Sequence, residues 1–242
     1  MAIDRKKKIL AVGDCNTSGI GELNGQSFPE RLEKRRQIAV TNCGHTMATS
    51  REGYCLLRDN LTSDCSIVII QFGLGDASLT LRHAPYVLNY PDNIFRKPCR
   101  KILKKIKKLT RKYGINQRFG ESNIAPLEEY SGNMRRMIEM CVGRIILLPE
   151  TIPHRDTLRN AHITRYNRAV AALAAQYPSC YLVKIYNGFS DHMDHFYLDS
   201  THSNAIDHDF IAEFIVGSFL NSFRGSKTRI RKFQIVNRHY VF

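Results

Sequence analysis

The sequence lacks any hydrophobic run long enough to cross a membrane as a helix. Its longest apolar stretch, residues 66–72, has the length of a strand, whereas a spanning helix needs about 20 apolar residues. A secretory signal is also missing, because the basic N-terminus leads into only five apolar residues, 9–13. The chain is therefore predicted to be cytoplasmic.

The cysteine patterns of disulfide-stapled and zinc-stabilised proteins are absent as well. The seven cysteines are odd in number and none forms a C-x-x-C pair, which is typical of a reducing compartment. Asp191, His192 and His195 lie together, but neighbouring Asp and His side chains on one loop seldom reach zinc geometry and no distant pair completes the set. We expect no metal.

Acidic residues are scarce. Asp and Glu number 22 against 36 Lys and Arg, so the formal charge is +14. This excess predicts an anionic partner: a nucleic acid, acidic lipid headgroups or a phosphorylated substrate. The sequence has no helix-turn-helix, zinc-finger or RNP signature, so no specific nucleic acid is expected, although a basic nucleic-acid or anionic-surface binding protein stays open as an alternative.

What the chain does contain is an alternation of strands and helices within a length of 242 residues, which suits one α/β domain. Five apolar runs rich in Ile, Val and Leu have the composition of strands buried on both faces of a parallel sheet. These runs are residues 8–12, 37–41, 66–72, 144–148 and 180–186. The helical stretches between them are residues 29–36, 47–58, 93–113, 127–141, 156–176 and 207–219. The pattern predicts a three-layer, doubly wound, parallel five-stranded α/β fold of the flavodoxin-like type over residues 1–223.

Residues that can carry chemistry follow the predicted strands. The first strand ends in Gly13-Asp14-Cys15, and a helix N-terminus there would lower the pKa of the Cys15 thiol. A buried, inert cysteine is the alternative. Asp199 and His202 are three residues apart before the last helix, so a turn would bring them together and leave His202 Nε2 as a base. In a doubly wound fold all these strand ends lie at one edge of the sheet.

This set resembles the SGNH/GDSL hydrolase superfamily. Gly13-Asp14-Cys15 is similar to its Gly-Asp-Ser block with Cys in place of Ser, and Asp199-Ser200-Thr201-His202 matches its Asp-x-x-His block. Asn42-Cys43-Gly44 resembles the second block, and Gly73-Leu74-Gly75-Asp76 resembles Gly-x-Asn-Asp with Gly75 at the Asn position. The resemblance implies a Cys15–His202–Asp199 triad. It also implies an oxyanion hole or substrate site formed by Gly44, Gly75, Asp14 and Asp76.

The resemblance further implies acyl-ester chemistry, by an O-acyltransferase or an esterase, on a carbohydrate of the bacterial surface-polysaccharide type or on a lipid-linked glycan. No cofactor is required, and acetyl-coenzyme A is a candidate acyl donor. A Cys nucleophile favours acyl transfer, whereas the missing Asn removes one oxyanion donor, worth about 2.7–4 kcal/mol. A catalytically inactive scaffold therefore remains an alternative.

A basic insertion at about residues 93–118 and a basic tail at residues 224–242 are foreign to a minimal fold of this kind. Within the insertion Ile102, Leu103, Ile106 and Leu109 form a helical stripe, which we expect to pack on the domain with the cations facing outward. We predict that this helix borders the mouth of the active site and binds an anionic substrate or membrane surface. Its binding residues would be Lys104, Lys105, Lys107 and Lys108.

Overall fold

A computed structural model describes residues 8–199 and 201–223, with side chains up to residue 217. The predicted basic tail, residues 224–242, lies outside the described residues. Among those that are described, no helix is both long and apolar enough to span a bilayer.

A parallel five-stranded sheet forms the centre of the molecule. Its strands are β1 (Lys8–Gly13), β2 (Val40–Gly44), β3 (Cys65–Gln71), β6 (Ile145–Pro149) and β7 (Cys180–Val183). They lie side by side in the order β2-β1-β3-β6-β7, and every neighbouring pair is parallel. Two short strands, β4 (Leu79–Leu81) and β5 (Glu121–Asn123), form a separate antiparallel pair. The order confirms the predicted doubly wound, flavodoxin-like sheet.

Helices cover both faces of this sheet. The helices of the described residues are α1 (Cys15–Ser18), α2 (Phe28–Arg36), α3 (Ser50–Asn60), α4 (Arg96–Lys112), α5 (Ile115–Phe119), α6 (Leu127–Met140), α7 (Asn160–Gln176), α8 (Tyr186–Ser190), α9 (Met193–Phe196) and α10 (Ala205–Phe223). Of these, α4 and α5 pack on each other and on β4. Alternate residues of β1 belong to opposite cores: Leu10 and Val12 pack with α3, α6 and α7, while Ile9 and Ala11 pack with α2 and α10. Because both sheet faces are buried, the strands have no polar face, which confirms the three-layer prediction.

Two predicted strands differ from the structure by three residues, whereas the bounds of the other three differ by one residue. The second begins at Val40 rather than residue 37, because Gln37 adopts a left-handed conformation (φ 53°) that ends α2, with its N–H donating to the carbonyl of Glu33. The last strand ends at Val183 rather than residue 186. The N–H of Tyr186 donates to Glu150 Oε2 at 3.0 Å as the chain turns into α8.

The insertion differs from the prediction in one respect. Its helix α4 forms as expected, but the apolar stripe does not pack on the domain: Ile102, Ile106 and Leu109 are exposed, and only Leu103 is half-buried. The side chain of Lys107 turns inward instead. The helix packs on the domain through the side that carries Leu103 and Lys107, and the sequence pattern alone does not show that this side, and not the apolar stripe, faces the domain.

Candidate active site

The turn before α10 brings Asp199 and His202 into contact. Asp199 Oδ2 lies 2.7 Å from His202 Nδ1, while its Oδ1 accepts the backbone N–H groups of Thr201 and His202 at 2.7 and 2.8 Å. Burial acts to raise the pKa of Asp199, but the hydrogen bonds from His202 and Thr201 prevail and lower it to about 2. An ionised Asp199 accepts the Nδ1–H of His202, which leaves Nε2 as the nitrogen that faces away from this contact and can act as a base.

Cys15 is the first residue of α1, at the carboxyl end of β1. The preceding residue, Asp14, caps this helix by accepting the N–H of Asn16 at 3.0 Å. Asn16 Oδ1 lies 3.5 Å from Ser203 Oγ, which joins α1 to the turn that carries His202. The charge of Asp199 also acts on the Cys15 thiol. The structure therefore brings three of the predicted residues, Cys15, Asp199 and His202, to one end of the sheet.

The thiol of Cys15 is not activated in the way the sequence predicts. Burial, and next the charge of Asp14, raise its pKa well above the ordinary value. The backbone N–H groups of Cys15 and Asn16 at the start of α1 act to lower this pKa, as expected of a helix N-terminus, but burial and the charge of Asp14 outweigh them. The thiol is protonated at neutral pH, so a neighbouring base must remove its proton before it can attack.

Gly44 lies at the end of β2, opposite Gly13. A Cβ on Gly44 would lie 2.3 Å from the backbone N of Ser18, so only glycine permits this approach of α1. Its N–H, which the sequence assigned to the oxyanion hole, donates to Asn42 Oδ1 at 2.8 Å. Asn42 in turn donates to the carbonyl of Thr17 at 2.9 Å. The structure therefore gives the Gly44 N–H an internal acceptor.

Gly75 occupies the position where the resemblance expects Asn. A Cβ there would lie 2.9 Å from the carbonyl oxygen of Ala48 and 3.3 Å from Thr49 Cγ2. The backbone before α3 thus occupies the space that a side chain would need. Ala48 and Thr49 therefore fill the space that the Asn side chain would occupy.

Asp14 and Asp76 are buried acids that accept hydrogen bonds from the first turns of α1 and α3. Both are buried, and burial is the main cause that raises the pKa of each carboxyl to about 7. Asp76 accepts the N–H of Ser50 at 2.9 Å and its hydroxyl at 2.6 Å, which fixes the start of α3. The sequence assigned these acids to the oxyanion hole or substrate site, whereas the structure places them on the N-terminal ends of two helices.

His154 was missed by the sequence reasoning. It is buried after the end of β6, and its Nε2 lies 3.1 Å from the hydroxyl of Thr201, within the Asp199–His202 turn. Its Nδ1 accepts the N–H of Asp156 at 2.9 Å, so the proton of the neutral ring is on Nε2 and points to Thr201. Its place after a parallel strand was the signal that could have found it, because such strand ends converge.

The neighbouring Asp191, His192 and His195 give no ligand set. Across residues 8–199 and 201–223, no three His, Cys, Asp or Glu side chains are arranged to hold a metal ion. The ring of His192 packs near that of Phe196, with centroids 5.6 Å apart. His195 lies within α9, and its carbonyl accepts the side-chain amide of Asn204, two residues after His202.

The structure resembles solved hydrolases over nearly its whole length. A lipase/acylhydrolase from Enterococcus faecalis has a TM-score of 0.63 at 16% identity, covering 93% of this chain and 100% of its own. A member of the lipolytic protein G-D-S-L family from Veillonella parvula has a TM-score of 0.61 at 11% identity, covering 88% and 98%. A catalytic mutant of an acetylxylan esterase from Geobacillus stearothermophilus has a TM-score of 0.59 at 16% identity, covering 96% and 100%.

Sequence comparison alone does not reach these proteins: no protein-family model and no curated protein matches the chain. The likeness is therefore one of architecture, and it coincides with the resemblance of the four sequence blocks. The chain has the fold of the SGNH/GDSL hydrolases.

Proposed function

We propose that this protein catalyses acyl-ester chemistry, as an esterase or an O-acyltransferase, with Cys15 as nucleophile, His202 as base and Asp199 as its orienting acid. The observation that carries the proposal is the 2.7 Å contact between Asp199 Oδ2 and His202 Nδ1. It lies on a turn joined through Ser203 and Asn16 to the helix that Cys15 begins.

In the first half of the reaction His202 Nε2 removes the thiol proton of Cys15 as the sulfur attacks the carbonyl carbon of the ester. The raised thiol pKa makes this base necessary, because little thiolate forms without it. The intermediate then collapses: the bond to the alcohol breaks, the alcohol leaves with the proton held by His202, and the acyl group remains on sulfur.

In the second half water, or the hydroxyl of an acceptor, attacks the thioester while its proton passes to His202. Collapse transfers the acyl group and returns the proton to the sulfur of Cys15. Backbone N–H groups of Cys15 and Gly75 are our assignment for the oxyanion donors, since the Gly44 N–H already donates to Asn42. Each such donor contributes about 2.7–4 kcal/mol to transition-state stabilisation.

For the substrate we propose an O-acylated carbohydrate, either free or as a lipid-linked glycan, with acetyl-coenzyme A as the acyl donor if the reaction is a transfer. Support comes from the acetylxylan esterase of the same fold, whose substrate is an acetylated polysaccharide. The charge of +14 supports an anionic donor or acceptor.

The test is intact-mass measurement after incubation with acetyl-coenzyme A or with p-nitrophenyl acetate. We expect one acetyl group on the wild type and none on Cys15→Ala, because the other thiols lack the Asp199–His202 pair. Turnover of the ester should fall by a factor of ~10²–10⁴ in His202→Ala, as expected for the loss of a general base. Adding an oligosaccharide acceptor separates transfer, which acetylates the sugar, from hydrolysis, which does not.

Cys99 provides the matched control, because it is an exposed thiol on the insertion and lacks the Asp199–His202 pair. Cys99→Ala should retain the adduct and the turnover. Full activity in Cys15→Ala with an unchanged melting temperature would disprove the proposed nucleophile. A wild type that neither acylates nor hydrolyses any ester would favour the inactive scaffold.

A further inference from the structure

Helix α4 is held on the domain by one face. Arg100 donates to the carbonyl of Leu88 at 2.9 Å, and Arg111 donates to the carbonyl of Leu79 at 2.9 Å. Lys107 lies over the ring of Tyr86, 5.8 Å from its centroid, and burial lowers the pKa of this lysine. These contacts, spread along the helix, fix its rotation about its own axis.

That rotation leaves an apolar stripe in solvent. Residues spaced three or four apart lie on one side of a helix, since each residue advances about 100°. The stripe consists of Phe95, Cys99, Ile102, Ile106, Leu109 and Tyr113, all exposed. Phe95 is 74% exposed, Ile102 58% and Leu109 50%. An apolar row of this length on a monomer normally marks a contact surface.

Exposed lysines cover the outward side of the helix next to the stripe and continue round to the side opposite it. Lys101, Lys105 and Lys112 lie nearest the stripe, Lys97 and Lys108 lie further round, and Lys104, two residues from Ile102 and Ile106, lies opposite it. The sequence of α4 contains no Asp or Glu. The helix therefore presents an apolar row beside a row of positive charge, and both rows face outward.

We propose that this surface, the apolar stripe of α4 with its bordering lysines, docks on an anionic lipid bilayer. A bilayer interface supplies negative headgroups for the lysines and an apolar layer just beneath them for Ile102, Ile106 and Leu109. A helix of 17 residues, about 25 Å long, would lie along the membrane plane. The proposal does not depend on the catalytic assignment of Cys15.

Other occupants fit the surface less well. A second copy docking through the same stripe would set the lysine rows of two helices against each other. A nucleic acid would satisfy Lys104, Lys105 and Lys108 but offers no apolar phase for aliphatic side chains. A partner protein that encloses α4 in a groove would have to contact the face of α4 that already packs on the domain. A flat membrane surface contacts only the exposed side of the helix.

The support of α4 also lies near the candidate active site. The segment that carries Tyr86 and Asn89 packs against the loop after β2: Tyr86 hydroxyl lies 3.2 Å from Thr49 Oγ1, and Asn89 Nδ2 donates to the carbonyl of Met47 at 2.9 Å. The ring of Tyr90 contacts that of His45, with centroids 5.9 Å apart. Docking through α4 would therefore hold the catalytic edge of the sheet close to the membrane.

The test is co-sedimentation of the full chain with vesicles of phosphatidylcholine alone or mixed in equal parts with phosphatidylglycerol. We expect binding to the mixed vesicles only, weakened by salt because the Debye length shortens. Two variants divide the surface. The basic variant changes Lys101, Lys105 and Lys112, the exposed lysines nearest the stripe, to Gln, and the apolar variant changes Ile102, Ile106 and Leu109 to Gln. Lys107 is left intact because it packs on Tyr86.

The basic variant should bind roughly 100-fold more weakly, since each lysine near an anionic surface contributes a factor of about five. The apolar variant should also lose binding, by at least tenfold, because each buried aliphatic side chain contributes a comparable factor. Both variants alter exposed side chains, so their melting temperatures should match the wild type. A control variant removes the same charge from other exposed positions: Lys34→Gln, Arg168→Gln and Lys184→Gln.

The control variant should bind like the wild type. If it loses as much binding as the basic variant, the net charge of the chain is responsible and the proposal is wrong. Unchanged binding of the apolar variant would likewise overturn insertion of the stripe. Stripe-dependent dimers in sedimentation velocity without vesicles would assign the surface to a second copy. RNA binding that needs the lysines but not the stripe, without vesicle binding, would assign it to nucleic acid.

Discussion

At the scale of single residues, Gly75 shows how the chain departs from the blocks it resembles. A Cβ on Gly75 would lie 2.9 Å from the carbonyl oxygen of Ala48, so the packing at this position leaves room for glycine only. Restoring the expected Asn would push the backbone before α3 out of place. Gly75→Asn would restore the sequence block but would create a steric clash with Ala48.

We predict that Gly75→Ala destabilises the protein by about 1–3 kcal/mol, the usual range for an overpacked position. The measurement is the free energy of unfolding in urea. Gly132→Ala is the matched control, because Gly132 lies within α6 with nothing within 4 Å of an added Cβ. It should be stabilised by about 0.5–1 kcal/mol, the helical preference of Ala over Gly. A stable Gly75→Ala variant would show that Ala48 moves freely.

Local and distant contacts were not equally predictable at this scale. Asp199 and His202 are three residues apart, so one turn suffices, and the expected contact is present at 2.7 Å. The contact of His154 with Thr201 joins residues 47 apart in the chain. The burial that raises the pKa of Cys15 comes from packing against other elements, which no local pattern encodes.

At the scale of elements, Asp76 joins the loop after β3 to the start of α3. Its carboxylate accepts both the N–H and the hydroxyl of Ser50, and Thr49 and Glu52 complete a capping box at the same end. The first N–H groups of a helix have no partner within it. Asp76 therefore holds the edge of the site by satisfying a buried helix end.

We predict that Asp76→Ala lowers the free energy of unfolding by about 2–3 kcal/mol, because it leaves the buried N–H of Ser50 without its acceptor. Asp76→Asn keeps one acceptor oxygen and should cost less. Chemical denaturation measures both, and exposed Asp64→Ala serves as the control, within about 0.5 kcal/mol of the wild type. A loss of activity in Asp76→Asn at full stability would instead place this carboxyl on the substrate.

Elements with a strong pattern were predicted, and elements defined by partners were not. The five strands are continuous apolar runs, because both faces of the sheet are buried. The pair β4 and β5 has three residues in each strand, too few for a period to be visible. The amphipathic pattern of α4 predicted a helix, but it could not say that Leu103 and Lys107 face the domain while Ile102 and Ile106 do not.

At the scale of the whole molecule, buried acids couple folding to pH. Burial raises the pKa of Asp14 and Asp76 from 3.8 to about 7 and that of Asp207 to about 8. The folded state therefore holds three protons that the unfolded chain releases near pH 4. Two histidines act in the opposite sense: burial lowers the pKa of His208 from 6.5 to about 4 and also lowers the pKa of His154. The three acids outnumber these two histidines.

We predict that the melting temperature falls as the pH rises from 5 to 8. A group with a raised folded pKa contributes stability below its unfolded pKa and loses it as the pH rises through the folded value. Asp207→Asn, which imitates the neutral acid, should flatten this slope. Scanning calorimetry at several pH values is the measurement, and Asp64→Asn, on an exposed loop, should leave the slope unchanged. A melting temperature that rises from pH 5 to 8 would contradict the argument.

The pairing of β4 with β5 has a consequence for how this chain can be altered. Leu81 lies opposite Glu121, so the segment of residues 82–120, which contains the insertion, leaves the domain and returns to it at neighbouring points. A segment with such adjoining ends can be exchanged for a short turn without changing the path of the sheet on either side. Glu52 would then lose Tyr86 and Asn89 and meet water, which a carboxylate tolerates. A chain shortened between Leu81 and Glu121 would therefore separate the chemistry proposed for Cys15 from the membrane docking proposed for α4.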